Sequence, residues 1–180
     1  MLSEEEIEKL LNKVKNENLR KHMVAVAAIM EKLAEKLGED KEIWQLVGLL
    51  HDIDYEMVDM NEHGIKSAEM LEGKLPEYAL NAIKAHNEMT GFKAESKMDY
   101  ALRACDAASG LIVATALVMP NKKLSEVKLS TLKNKFKDKS FARRVDRNRI
   151  MECEKFGLNL DDFLLLSLEA MKGIADKIGL

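Results

Sequence analysis

Residues 46–54 read LVGLLHDID, an apolar run that ends in a histidine and two acids. Upstream of it, Ile43, Trp44, Val47, Leu50 and Ile53 recur at the three- and four-residue spacing of a single helical face. Asp40 is placed to cap that helix. His51 and Asp52 therefore fall at the end of a strongly hydrophobic helix. A carboxylate buried there is costly unless it is paired or bound to a metal.

The same period holds on both sides of this run. Ser3 and Glu6 form a capping box, with Ile7, Leu10, Leu11 and Val14 on one face. A helix over 17–37 carries His22 among Met23, Val26, Ala27, Met30 and Leu33, and Gly38 stops it. Downstream, a loop at 59–61 leads to a short helix over 63–72, ended by Gly73. Pro76 opens the next helix, which reaches His86. Ser96 caps a long helix through Cys105, Asp106 and Leu111, with Gly110 as a bend point and Pro120 as its stop. Short helices are expected over 124–137, and further helices over 140–156 and 160–178, parted by Gly157. No segment alternates with period two, so no strand is expected and the fold class is all-α.

The chain of 180 residues suits one domain, a helical bundle over 1–180. Apolar residues make up 47% and charged residues 33%, enough for a core and too mixed for a disordered chain. No apolar run is long enough to span a bilayer, and MLSEEEIEKL lacks a signal pattern, so a cytoplasmic protein without a membrane partner is expected. Cys105 and Cys153 form no CxxC pair and read as buried small hydrophobes. Residues 121–149 hold eleven Lys or Arg against three acids, a surplus of +8 that leaves −11 for the rest of a chain of net charge −3. Such a run is either a solvated helical face or an attractor for an anionic ligand. Its aromatic residues are only Phe136 and Phe141, which argues against a stacking platform for nucleic acid.

The chain has four histidines, His22, His51, His63 and His86, and all fall on consecutive helices with the apolar-flanked Asp52 and Asp106. Each alone reads as an ordinary core or surface group. Together they can surround one cavity, and imidazole with carboxylate suits zinc, iron or manganese better than calcium or magnesium.

The order His22, His51-Asp52, Asp106 resembles the signature of the HD superfamily of metal-dependent phosphohydrolases, over roughly residues 20–110. His63 in EHGIKSAEML and His86 in AIKAHNE resemble the extra histidines of members that bind two metals. The resemblance implies an HD-type helical fold, with a metal-site core over about 17–119 and a C-terminal helical extension over 120–180. It implies that His22, His51 and Asp106 hold one divalent transition metal (Fe, Mn, Ni, Co or Zn), that His63 and His86 hold a second, and that Asp52 bridges them. His51 and Asp52 would be the catalytic residues. The segments ALVMPNKKLSEVKLSTLKNKF and FARRVDRNRI resemble a group of small bacterial and archaeal HD proteins described as predicted hydrolases, which gives no substrate.

Tyr55 stands where many HD hydrolases have a lysine, and Asn87 where three-metal relatives have another histidine. Lys66, on the helix that carries His63, is a candidate phosphate contact or a solvated lysine. On a continuous helix Arg143 and Arg147 share a face, with Arg144 aside, and could grip phosphate oxygens or form surface pairs. Asp54 or Glu88 could move protons or be exposed acids. The expected reaction is water attack on a phosphomonoester or phosphodiester of a small nucleotide-like molecule, with two metals activating the water. A different enzyme class, the mixed-valent di-iron oxygenases related to myo-inositol oxygenase, uses a similar His and Asp set on the HD fold. A non-catalytic regulatory protein is the third reading, and the complete ligand set speaks against it.

Overall fold

Asn16, rather than any residue of the apolar run, starts the helix that organises the molecule. Its side chain accepts from the amides of Asn18 and Leu19 and so satisfies two of the free N–H groups at that end. In the computed structural model, which describes residues 2–180, helix α1 spans Glu4–Leu11 and this helix is α2, Glu17–Leu37. It ends at Gly38 with φ +71°. There follow α3 (Lys41–Leu50), α4 (Ile65–Met70), α5 (Glu77–Ala85), α6 (Lys97–Leu117), α7 (Leu129–Lys137), α8 (Arg147–Met151), α9 (Leu160–Lys172) and α10 (Ala175–Ile178). The described residues contain no strand, so the fold is all-α, as the periodicity requires.

α2 packs along α3, α6 and α9, and α6 in turn against α5, α7, α8 and α9. The elements beyond residue 120 thus lie on the same two core helices that carry His22 and Asp106. Met23, Val26, Ile29, Met30 and Leu33 of α2 are fully buried, each contributing about 1.5–3 kcal/mol of apolar transfer. Small residues set the close approaches. A Cβ on Gly48 of α3 would lie 2.8 Å from the Cα of Ala27, so α2 and α3 cross with backbones in contact. α6 presents Ala101, Ala104, Cys105 and Ala108 to its neighbours, all buried. Among the described residues only this helix is long and apolar enough to cross a membrane, and 56% of its most apolar window is buried inside the structure. Cys105 and Cys153 are both buried and unpaired.

Several boundaries differ from the sequence expectation. α3 ends at Leu50, not Ile53, because Asp54 is drawn inward by the amides of Gly64 and Ser67, each at 2.8 Å. α4 starts at Ile65 because Gly64 takes φ +94°, outside the helical region. Residues 140–156 are not one helix. The chain turns through Ala142 at φ +46°, and Asp146 then caps the short α8 by accepting from Asn148 and Arg149. A 3-10 turn over Glu152–Phe156 follows. α6 runs through Gly110 as one uninterrupted helix. The last expected helix divides at Gly173 into α9 and α10.

Candidate metal centre

All four histidines meet at the ends of α2, α3 and α5 and the start of the α4 turn. His22 lies in the second turn of α2, His51 is the C-cap of α3 and His86 the C-cap of α5. Asp52 sits between them. Its Oδ1 lies 3.2 Å from His51 Nε2, 3.2 Å from His63 Nε2 and 3.4 Å from His86 Nε2. Its Oδ2 faces His22 Nε2 at 3.6 Å. Asp106, projecting from α6, brings Oδ1 to 3.1 Å from the same His22 nitrogen.

The opposite nitrogen of every ring is tied down. His51 Nδ1 donates to the Gly48 carbonyl at 2.8 Å, and His86 Nδ1 to the Ile83 carbonyl at 2.5 Å. His63 Nδ1 donates to Asp54 Oδ1 at 2.7 Å. Ser109 donates its own proton to the Asp106 carbonyl, so its oxygen is left to accept from His22 Nδ1 at 3.2 Å. These partners select the tautomer in which Nε2 carries a lone pair, and all four Nε2 atoms lie within 3.6 Å of the Asp52 carboxylate.

This donor set fits metal ions. His51 Nε2 is buried and has no hydrogen-bond partner. His63 Nε2 and His86 Nε2 stand 3.1 Å apart, near the separation of roughly 3.0–3.4 Å that two imidazole ligands on one ion take at metal–nitrogen bonds of 2.0–2.1 Å. Two groups bring their ligand atoms within 4.8 Å of one another: His22 with His51 and Asp52, and Asp52 with His63 and His86. Asp52 belongs to both.

The electrostatics agree. Burial pushes the Asp52 carboxyl up, but the surrounding imidazoles outweigh it and hold the group well below the usual range. Burial likewise opposes charge on His63, yet the hydrogen bonds to Asp52 and Asp54 win and raise its pKa to about 9. His22 is also raised, burial being overcome by Asp106. Asp106 itself is lowered, the His22 pairing outweighing desolvation.

The cleft has a volume of about 490 Å³ and is also lined by Asn16, Leu19, Tyr55, Met60, Asn87 and Arg149. Tyr55 stacks edge-on against His63 at 5.0 Å. Asn87 donates to the carbonyls of Met60 and His63 and so ties the loop that carries His63.

Other residues singled out from the sequence lie elsewhere. Lys66 is half exposed and paired with Glu69 at 2.8 Å on the outer face of α4, away from the cleft. Arg147 is also a correction. Its guanidinium donates to six carbonyls, those of Lys135, Phe136, Asp138, Phe141, Ala142 and Val145, and no donor is left for a ligand. Arg143 is exposed in the turn before α8 and shares no helical face with Arg147. Asp54 is fully buried with its oxygens occupied by His63, Gly64 and Ser67, so it orients a ring rather than carrying protons. Glu88 pairs with Arg103 at 2.8 Å.

Sequence reasoning missed Arg149, whose signal was weak: one arginine among several in a basic run. It also missed Ser109, one turn beyond Asp106 on α6, which reaches His22 across to another helix.

A helical bundle whose core helices gather four imidazoles and two carboxylates around Asp52 defines a protein with a candidate metal centre. The HD domain family matches residues 19–112, just over half of the 180-residue chain, and the chain belongs to that family of metal-dependent hydrolases. No curated protein and no solved structure matches the chain.

Proposed function

We propose that the protein is a metal-dependent phosphohydrolase that cleaves a phosphomonoester or phosphodiester of a small nucleotide-like substrate. The observation that carries this reading is the orientation of the four rings, each tied at Nδ1 and open at Nε2 around Asp52. His22, His51, Asp52 and Asp106 would hold one divalent metal, and Asp52, His63 and His86 a second. Such ions (Fe, Mn, Ni, Co or Zn) supply Lewis acidity and lower the pKa of a water toward neutrality.

The chain's own groups do the rest. Asp54 and the Ile83 carbonyl hold the rings of His63 and His86 in register, so no reorientation is needed at the moment of reaction. Arg149 lines the cleft beside Asp106, with Nη1 3.9 Å from Asp106 Oδ2, and is placed to hold a phosphoryl oxygen. In the assigned reaction phosphorus gains the oxygen of water, one P–O ester bond breaks, and the leaving alkoxide takes up a proton. The unpaired buried cysteines suit a reducing compartment, so the assigned setting is the cytoplasm.

The test is metal analysis of the purified protein together with a phosphoester screen in added manganese, iron, cobalt or nickel. Release of phosphate or nucleotide that stops on chelation and returns with metal supports the reading. Silence of fully metallated protein toward phosphoesters, with oxygen uptake on a polyol or phosphonate, assigns it to the di-iron oxygenases instead.

A further inference from the structure

We infer that the turn preceding α8 forms a second anion subsite beside the metal cleft, and that the substrate carries a second phosphoryl group bound there by Arg144, with Arg149 standing between the two clefts. This rests on the phosphohydrolase reading for its substrate, but not for its geometry.

A second cleft, of about 440 Å³, joins the first through shared walls at His22, Asp106 and Arg149, and Arg144 lines its outer side. Arg149 lines both clefts, and no carboxylate comes closer to it than 3.8 Å among the described residues. Three carboxylates ring it at 3.8–4.0 Å, and each is engaged more closely elsewhere. Glu88 is held by Arg103 at 2.8 Å. Asp106 lies 3.1 Å from His22. Asp146 caps α8 through the amides of Asn148 and Arg149. An incoming phosphate meets a guanidinium that is one-fifth exposed and makes no hydrogen bond among the described residues, only the three longer ion pairs.

Arg144 is presented by a turn that is built rather than loose. The backbone adopts φ +46° at Ala142, a conformation that a side chain disfavours and that surrounding structure must enforce. The enforcing group is Arg147, whose guanidinium gathers the carbonyls on both sides of that residue. Val145 seats the turn on α6, where a Cβ on Gly110 would be 3.4 Å from its methyl group. The clamp thus fixes the segment from which Arg144 lines the second cleft. The placement also gives the basic run of residues 121–149 a specific outlet next to the metal ligands.

The experiment is calorimetric titration of the manganese-loaded protein with inorganic phosphate and with methylenediphosphonate, which is not hydrolysed. The expected result is tighter binding of the diphosphonate, a preference that Arg144→Ala reduces about 10–100-fold, the effect of one charge-assisted contact. Lys155→Ala, which removes an exposed charge outside the cleft, should leave both affinities unchanged. Equal affinity for the two anions, binding of neither, or an equal loss in Arg144→Ala and Lys155→Ala overturns the subsite. Failure of the phosphohydrolase reading registers separately, as absent turnover in a protein that still prefers the diphosphonate.

Discussion

His63 and His86 point their Nε2 atoms at each other across 3.1 Å, while their Nδ1 atoms donate to Asp54 and to the Ile83 carbonyl. With both rings in that tautomer two lone pairs confront one another, an arrangement that a cation between them relieves. Without a metal, a proton does the same work: His63 is raised to about 9 against the opposing effect of burial, by Asp52 and Asp54.

On the proposed two-metal assignment the pair forms a position separable from that of His22 and His51, with Asp52 common to both. His63→Ala or His86→Ala should leave about one metal per chain with sharply reduced turnover, because the water-activating pair is broken. His51→Ala should disturb both positions, since its neighbour Asp52 belongs to each. Metal counts by mass spectrometry on the three variants check this. Wild-type counts in the His63 and His86 variants would make these residues structural.

Protonation gives a second expectation with opposite signs for two measurements. In the chelated protein His63 has a folded pKa above its ordinary value of 6.5, reaching about 9. Its stabilising contribution is complete below pH 6.5 and is lost as pH rises through 9. Metal binding displaces that proton, so metal affinity should rise over the same interval. Thermal unfolding in chelator and metal titration, each from pH 6.5 to 9, should trend in opposite directions. Parallel trends would remove His63 from the ligand set.

Gly64 has a conformational and steric reason to be glycine. It sits at φ +94°, and a Cβ there would lie 2.7 Å from the Ile83 carbonyl and 3.2 Å from the His86 ring. That carbonyl is the acceptor that orients His86. Gly64→Ala should cost roughly 1–3 kcal/mol of stability and weaken the His63–His86 position selectively. Calorimetric unfolding with metal counting reads both effects, and a normally stable variant with two metals would contradict the account.

Gly48→Ala acts at the other position. The added methyl would meet Ala27 backbone atoms at 2.8 and 2.9 Å, which no rotamer change relieves. α2 and α3 must separate, at a cost of about 1–3 kcal/mol, and with them His22 and His51. Lower thermal stability with weaker binding of the first metal is expected. Unchanged binding would show that the two helices move as one.

Periodicity made most of the fold legible because α2, α3 and α6 bury one continuous stripe each, and because Ser3, Asp40, Ser96 and Gly38 mark helix ends by local chemistry. The six candidate ligands were legible because they exhaust the histidines and interrupt apolar runs. What holds them was not. Asp54 orients His63 across a loop, and Ser109 reaches His22 from another helix, a separation of 87 residues that no spacing rule records. The basic run misled for a physical reason. A helical reading of 140–156 puts Arg143 and Arg147 on one face, but the turn at Ala142 breaks that face and Arg147 folds inward to satisfy the carbonyls it frees.

The two arginines of α8 should consequently separate stability from catalysis. Arg147 donates to six carbonyls, several of them part-buried, whereas the side chain of Arg149 makes no hydrogen bond among the described residues and faces the cleft. Arg147→Ala leaves those acceptors unpaired and should lower unfolding free energy by about 2–4 kcal/mol, with metal content retained. Arg149→Ala removes no such anchor and should unfold near the wild-type temperature. Its kcat/KM on a phosphoester should fall about 10–100-fold, the loss of one charge-assisted contact to phosphate. Lysine at position 149 should restore part of the rate, since it keeps the charge but not the planar fork. Denaturant unfolding and steady-state kinetics on both variants decide the matter. If Arg147→Ala were stable but slow, and Arg149→Ala unstable but fast, the roles assigned to the two side chains would have to be exchanged.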